Sequence, residues 1–164
     1  MKKINLFITG LGNVGSELLS LIHNNYHHKQ TTIKVIGISN SRRMYFDKNG
    51  IDLSNWRNLL AGGIKKNNRE EFFNKTINYK HGNCVFVDNT ASETISSEYA
   101  SYLNEGLSVV TCNKIASSSK LENYNKLKNI SNKNNVSFLY ETNVGSSLPV
   151  LETINNLILS NDKI

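Results

Sequence analysis

Three closely spaced glycines carry the first hint of chemistry in this sequence. They lie in Gly10-Leu11-Gly12-Asn13-Val14-Gly15, just after a short apolar run ending at Thr9 and just before a segment with helical spacing. In that setting G-x-G-x-x-G predicts a strand, a tight turn and a helix. The first glycine permits the turn. The second lets backbone N–H groups approach a ligand, and the third lets the helix pack close to the strand. The free N–H groups and dipole of a helix N-terminus favour an anion. The expected ligand is the pyrophosphate of a dinucleotide, with Gly10, Gly12, Asn13, Val14 and Gly15 around it.

Four further clusters follow apolar runs. Ser39-Asn40-Ser41-Arg42-Arg43 ends the second run. An NAD-preferring site places Asp or Glu there to hold the ribose 2′-OH. Here there is no acid, and a guanidinium fork suits a phosphate. NADP is therefore the expected cofactor, with NAD as the alternative, and Ser39, Asn40, Arg42 and Arg43 are its candidate contacts. Asp88-Asn89-Thr90-Ala91-Ser92 ends the third run. Thr90 and Ser92 sit where a cofactor ribose and nicotinamide pass, although an ordinary Asx or ST turn fits the same residues equally well. Thr111-Cys112-Asn113-Lys114 ends the fourth. Lys114 could hold a substrate carbonyl or carboxylate, or help a proton move; a lone loop lysine is also commonly just solvated. Cys112 reads as a small packing residue. The stretch from Glu141 to Pro149 is a tight strand-to-helix loop. Its carbonyls and one carboxylate could hold a hard cation, but a structural turn accounts for the pattern as well.

The elements that must position these clusters alternate along the chain. Apolar runs at 4–9, 33–39, 83–88, 107–111 and 136–140 predict strands. Helical spacing predicts helices at 13–26, 96–105 (closed by Gly106) and 119–132, with a last helix opened by Pro149. The stretch 40–77 reads as irregular. It holds a turn at Asp47-Lys48-Asn49-Gly50, a capped short helix from Ser54 through Trp56 to Leu60, and a polar helix near 69–77. The expected class is α/β: a doubly wound, Rossmann-type parallel sheet with helices on both faces and strand order near 3-2-1-4-5. Residues 1–147 are expected to form the dinucleotide-binding domain, with 148–164 as a final helix.

Composition narrows the function classes. A chain of 164 residues, 38% hydrophobic and 20% charged, suits one folded domain and not a disordered segment. No apolar run approaches the roughly 18–20 residues of a membrane span, so no membrane partner is expected. The basic start Met1-Lys2-Lys3 precedes an apolar stretch too short for a secretory signal. Two cysteines make neither a disulfide framework nor a zinc site and fit a reducing, cytoplasmic setting. His23 and His27 share a helical face, but with no nearby acid a solvated helix end is the better reading than a metal site. The net charge of +6 is spread without a basic stripe, so no nucleic-acid partner is expected. The joint richness in Asn, Lys and Ile fits the codon bias of an AT-rich genome.

Taken in order, G-L-G-N-V-G, S-N-S-R-R, G-I-D-L-S-N-W, F-V-D-N-T-A-S, V-V-T-C-N-K and F-L-Y-E-T-N-V-G-S-S-L-P-V resemble the homoserine dehydrogenase family over nearly the whole chain. S-R-R-M-Y-F-D-K-N-G-I-D-L-S-N-W resembles in particular the dehydrogenase half of the bifunctional aspartate kinase–homoserine dehydrogenases. The resemblance implies an enzyme that reduces aspartate 4-semialdehyde to homoserine with NAD(P)H, on the route to threonine and methionine. It implies a catalytic Lys114 near both cofactor and substrate. It also implies a sodium ion held by Glu141, Val144, Ser146 and Leu148, mostly through main-chain oxygens. Two departures stand out: Cys112 replaces a proline, and Ser146-Ser147 replaces Ala-Gly. The family's substrate-binding acids and further catalytic residues belong to a second domain that would follow the final helix. The chain is thus expected to be a fragment or a truncated product, inactive alone, of an enzyme that is homo-oligomeric at full length. The alternative function is a non-catalytic NADP-binding module of the same fold.

Overall fold

A computed structural model describes residues 2–25, 31–65, 70–146 and 148–161. Expectations resting on Tyr26, His27, Arg69, Ser147 and residues 162–164 lie outside the described residues. In chain order the elements are β1 (Lys2–Thr9), α1 (Asn13–Asn25), β2 (Thr31–Ser39), β3 (Arg43–Phe46), α2 (Trp56–Ala61), β4 (Ile64–Lys65) and α3 (Glu70–Tyr79). There follow β5 (Asn83–Asp88), α4 (Glu93–Ser96), α5 (Tyr99–Asn104), β6 (Ser108–Thr111), α6 (Ile115–Ser118), α7 (Leu121–Lys133), β7 (Phe138–Leu139) and α8 (Val150–Leu159). A 3-10 turn, Glu141–Asn143, lies between β7 and α8. The α/β class and the Rossmann-like sheet are as the sequence predicts.

The strand order is not. It runs β4-β3-β2-β1-β5-β6-β7, so the third parallel strand, β5, lies beside β1 and not beyond β2. The place beyond β2 is filled by β3 and β4, an antiparallel pair formed from the stretch that reads as irregular. Asn40 is the cause. Its Oδ1 accepts the N–H groups of Arg42 and Arg43, each at 2.8 Å, and its own N–H donates to the Arg43 carbonyl. This Asx turn reverses the chain directly after β2, and no crossover helix is needed.

The two faces of the sheet are covered unequally. On one, Phe7, Phe86, Val109 and Phe138 lie in register across β1, β5, β6 and β7. Phe72, Tyr102 and Leu127, from α3, α5 and α7, pack over them. The Tyr102 ring stacks on Phe86 with centroids 3.8 Å apart. On the other face Ile8, Ile38 and Val87 meet Leu19 of α1 and Trp56 and Leu60 of α2. That cover stops short of β6 and β7, where Val110 and Leu139 stay 36% and 53% exposed. Helix α8 has no buried residue.

Local chemistry explains the other departures. The expected helix at 96–105 is two short ones. The hydroxyls of Ser96 and Ser97 donate to the carbonyls of Glu93 and Thr94, each at 2.8 Å, a side-chain competition that weakens a continuous helix. Gly106 closes α5 in the left-handed region, at φ +76°. Before α2 the Asp52 carboxylate accepts both the N–H and the hydroxyl of Ser54; Asn55, at the N-cap, caps no backbone N–H, and its Oδ1 accepts instead from Asn58 Nδ2 at 2.7 Å.

The tightest contact joins α1 to the turn after β1. Gly10 takes φ +85°, and a Cβ placed on Gly15 would sit inside the van der Waals envelope of the Gly10 carbonyl oxygen. Both partners are backbone, so neither can rotate away. Gly15→Ala is expected to cost about 3 kcal/mol, the upper end of ordinary overpacking. That corresponds to a fall of about 10 °C in Tm for a domain of this size. A thermal melt within 2 °C or so of the parent would contradict this account of the contact.

Candidate cofactor-binding site

Parallel pairing brings four strand ends into one row: Thr9 pairs with both Ser39 and Asp88, and Asp88 with Thr111. Each loop after these residues therefore leaves the same edge of the sheet, where ligands bind in doubly wound folds. The ladder continues one step into three of the loops. Gly10 N–H donates to the Ser39 carbonyl, Asn89 N–H to that of Thr9, and Cys112 N–H to that of Asp88. The loops also touch: a Cβ on Gly10 would lie 2.7 Å from the Asn89 carbonyl carbon and the Thr90 methyl.

Space for a ligand opens above this row. A Cβ on Gly12 would meet nothing within 4 Å, and Gly12, Asn13 and Val14 are exposed at the start of α1. Beside them lies a cavity of about 710 Å³ bordered by Asn13, Val14, Asn89, Val110, Cys112 and Leu139, among others. Asn89 Nδ2 is buried on its wall without a hydrogen-bond partner. An orphaned donor of this kind suits a ligand acceptor. The sequence reading passes over Asn89; the clue was an amide immediately after a strand-ending acid.

The other expected residues differ in how free they are. Ser39 is fully buried and its hydroxyl donates to Thr9 Oγ1 at 3.0 Å, so it ties strand ends together. The Asn40 side chain is engaged in its turn. Arg43 Nη1 donates to the Gly63 carbonyl at 2.9 Å, fastening β3 to the chain after α2, while Arg42 is exposed. Thr90 Oγ1 accepts from Ser92 N–H, and Ser92 Oγ accepts from Ile95 N–H at the start of α4; each hydroxyl keeps a proton to donate. Lys114 is exposed and directly precedes α6. Cys112 is half-buried, and burial, then the nearby Asp88, push its thiol above its ordinary value. That suits packing and not nucleophilic attack.

The loop expected to hold a cation uses its acid differently. Glu141 Oε1 accepts from Leu151 and Glu152 N–H at 2.8 and 3.2 Å, and so caps α8. A carboxylate there also complements the helix dipole. Val144, Ser146 and Leu148 are exposed, and Gly145 and Ser146 both take left-handed backbone, at φ +72° and +58°. Among the described residues no group of three His, Cys, Asp or Glu side chains could hold a metal. Any cation here would rest on carbonyl oxygens.

The family model for the homoserine dehydrogenase NAD-binding domain matches residues 10–141. That span runs from the first glycine of the turn to the acid that caps α8. The chain belongs to the homoserine dehydrogenase family. A bifunctional aspartokinase/homoserine dehydrogenase of Haemophilus influenzae is 36% identical over 99% of this chain, which matches 20% of that protein. The homoserine dehydrogenase of Schizosaccharomyces pombe is 31% identical over 98% of the chain and 44% of its own length. Among solved structures, homoserine dehydrogenase from Thermoplasma acidophilum superposes with a TM-score of 0.75, at 25% identity, over 97% of this chain and 49% of that one. The chain thus spans less than half the length of each of these homoserine dehydrogenases, and what it shares with them is the NAD(P)-binding domain.

The empty space over Gly12 separates binding from folding. Gly12→Val is expected to leave the circular-dichroism spectrum and Tm of the free domain nearly unchanged, because the new Cβ opens into space with nothing within 4 Å. It should raise the Kd for dinucleotide by at least about a hundredfold, since the added atoms stand where a pyrophosphate must approach the backbone. An unchanged Kd would remove the phosphate-loop assignment.

Proposed function

We propose that this domain binds NADP(H) in preference to NAD(H) and presents it for the reversible reduction of aspartate 4-semialdehyde to homoserine. The observation that carries the reading is the open helix N-terminus at Gly12, flanked by the Thr90–Ser92 and Lys114 loops on one sheet edge. Gly10, Gly12, Asn13, Val14 and Gly15 hold the pyrophosphate. Arg42, exposed after β2, meets the adenosine 2′-phosphate, with Arg43 adding charge from the hairpin it fastens. Asn40 shapes that turn, and Ser39 acts from below by fixing the strand end. The Thr90 and Ser92 hydroxyls donate to the nicotinamide ribose.

The bound dinucleotide supplies the hydride. The chain's own part is to place a positive charge where the aldehyde oxygen becomes negative; that role goes to Lys114, an exposed cation on the loop after β6. A sodium ion on the carbonyl oxygens of Glu141, Val144, Ser146 and Leu148 belongs to the same proposal. Hard cations favour such oxygens, and the carboxylate of Glu141 is committed to α8. The exposed apolar residues of α8, Ile154, Leu157 and Ile158 among them, support a second, substrate-holding domain beyond residues 148–164 in a homo-oligomeric enzyme. Free Cys84 and Cys112 accord with a cytoplasmic setting.

Cofactor choice tests the adenosine end. NADPH should bind more tightly than NADH by calorimetry, and Arg42→Ala should remove about 1.5–3 kcal/mol of that preference, roughly tenfold to a hundredfold. Equal affinities in the parent protein would dismiss the assignment of the β2 end.

Turnover tests the rest. Holding the aldehyde against the nicotinamide can supply roughly 7–11 kcal/mol of a barrier, so these 164 residues alone should oxidise no measurable NADPH with aspartate 4-semialdehyde. A full-length homoserine dehydrogenase containing this domain should turn over, and Lys114→Ala in it should lower kcat while cofactor affinity is kept. Robust activity from the 164-residue chain, or a Lys114→Ala effect confined to cofactor affinity, would contradict the roles given.

A further inference from the structure

One fully buried polar group at the strand ends is not used by the proposed site. Asp88 has no exposed surface, and among the described residues no cationic side chain pairs with it. Its carboxylate is met by hydrogen-bond donors. Oδ1 accepts the Thr90 N–H at 2.7 Å. Oδ2 accepts the Tyr99 hydroxyl at 2.5 Å and Asn113 Nδ2 at 3.1 Å. Tyr99 gives its one proton to Asp88, so the 2.7 Å contact between Tyr99 and Thr111 runs from the Thr111 hydroxyl to the Tyr99 oxygen. Burial, then the neighbouring Asp88, raise the Tyr99 phenol well above its ordinary range, so it stays a donor.

Besides Tyr99 of α5, these partners belong to two different loops. The Thr90 N–H begins the segment that carries Thr90 and Ser92. Asn113 immediately precedes Lys114, and its Nδ2 also donates to the Ser92 carbonyl at 2.9 Å. Its Oδ1 accepts from Ile115 N–H, on the far side of Lys114. Lys114 is thereby held between two residues fixed through Asn113, and Asn113 is fixed to Asp88. The donors also explain why the residue is an acid. Three N–H and O–H groups converge on two oxygens, and a carboxylate only accepts. An amide would turn an NH₂ group toward Thr90 on one side or toward Tyr99 and Asn113 on the other.

We propose that Asp88 is a positioning residue: with Tyr99 and Asn113 it sets the Thr90–Ser92 loop and Lys114 in one fixed relation, and so places the nicotinamide half of the cofactor. This rests on the proposed NADP(H) site. It separates the site into two halves. The pyrophosphate turn packs against Thr90 but shares no hydrogen bond with Asp88, Tyr99 or Asn113, and Arg42 is set by the Asn40 turn, so the adenosine half should depend on the network little.

The test compares two ligands on the 164-residue chain. One is NADPH, followed by calorimetry and by the emission of its nicotinamide on binding. The other is adenosine 2′,5′-bisphosphate, which has the 2′-phosphate end and no nicotinamide. In Asp88→Asn the NADPH Kd should rise about tenfold, the loss expected for one hydrogen bond to a charged group. The change in nicotinamide emission should be lost, and the Kd for the bisphosphate should stay within about twofold of the parent. Tyr99→Phe removes one oxygen and keeps the ring in the core. It should act in the same direction by a smaller factor, and it decides the matter by the same ligand comparison if Asp88→Asn does not fold. Equal weakening of both ligands, or no change in either, would overturn the positioning role and leave a purely structural network. A parent chain that binds neither ligand would instead overturn the NADP(H) reading, and the inference with it.

Discussion

The close approach of Gly15 to the Gly10 carbonyl is the constraint from which the rest of the site follows. It draws the first turn of α1 down onto the end of β1, so the helix's free N–H groups open at the level of the strand ends. A side chain at Gly15 would push the helix outward. The anion-favouring end of α1 would then stand away from the crevice that the other loops share. The contact is between backbone atoms, so the geometry depends on the absence of a Cβ and not on any attractive side-chain pair.

The sheet changes character two residues before that level. Phe7, Phe86 and Val109 form an apolar row across three strands; two residues further along, Thr9, Asp88 and Thr111 form a polar one on the same face. The first row is covered by helices and drives folding. The second lies just as deep, but its polar groups are met by Ser39, the Thr90 N–H, Tyr99 and Asn113, which is the condition under which polar burial is tolerated. Tyr99 serves both rows, with its ring beside Phe86 and its hydroxyl on Asp88. Core and site meet in that side chain, and a packing change on α5 therefore reaches the strand ends directly.

What could be read in the sequence was what is local. The Gly10–Gly15 turn, the five parallel strands and the left-handed Gly106 each depend on neighbouring residues or on a short period. The β3–β4 pair was missed because a single side chain, Asn40, replaces a crossover by a turn. The same limit applies inside the site. Arg42 and Arg43 look equivalent as letters and are both exposed, yet Arg43 alone of the two reaches a carbonyl twenty positions away. Ser39 belongs to a hydroxyl-rich cluster but points into the sheet toward Thr9. The Glu141 carboxylate looks free in the sequence, yet it accepts from the first N–H groups of α8. The importance of Asp88 was hidden for the same reason, since two of its partners lie 11 and 25 positions further along the chain.

The ends of the sheet carry a last consequence. Its outermost strands, β4 and β7, are each only two residues long. An incoming strand would find almost no unpaired backbone to extend, and short edges of this kind guard against edge-to-edge aggregation. The apolar surface left bare around Val110, Leu139 and α8 can therefore be covered only by something packed flat against it, not by β-augmentation. Among the described residues, what this surface offers a neighbour is a face and not an edge.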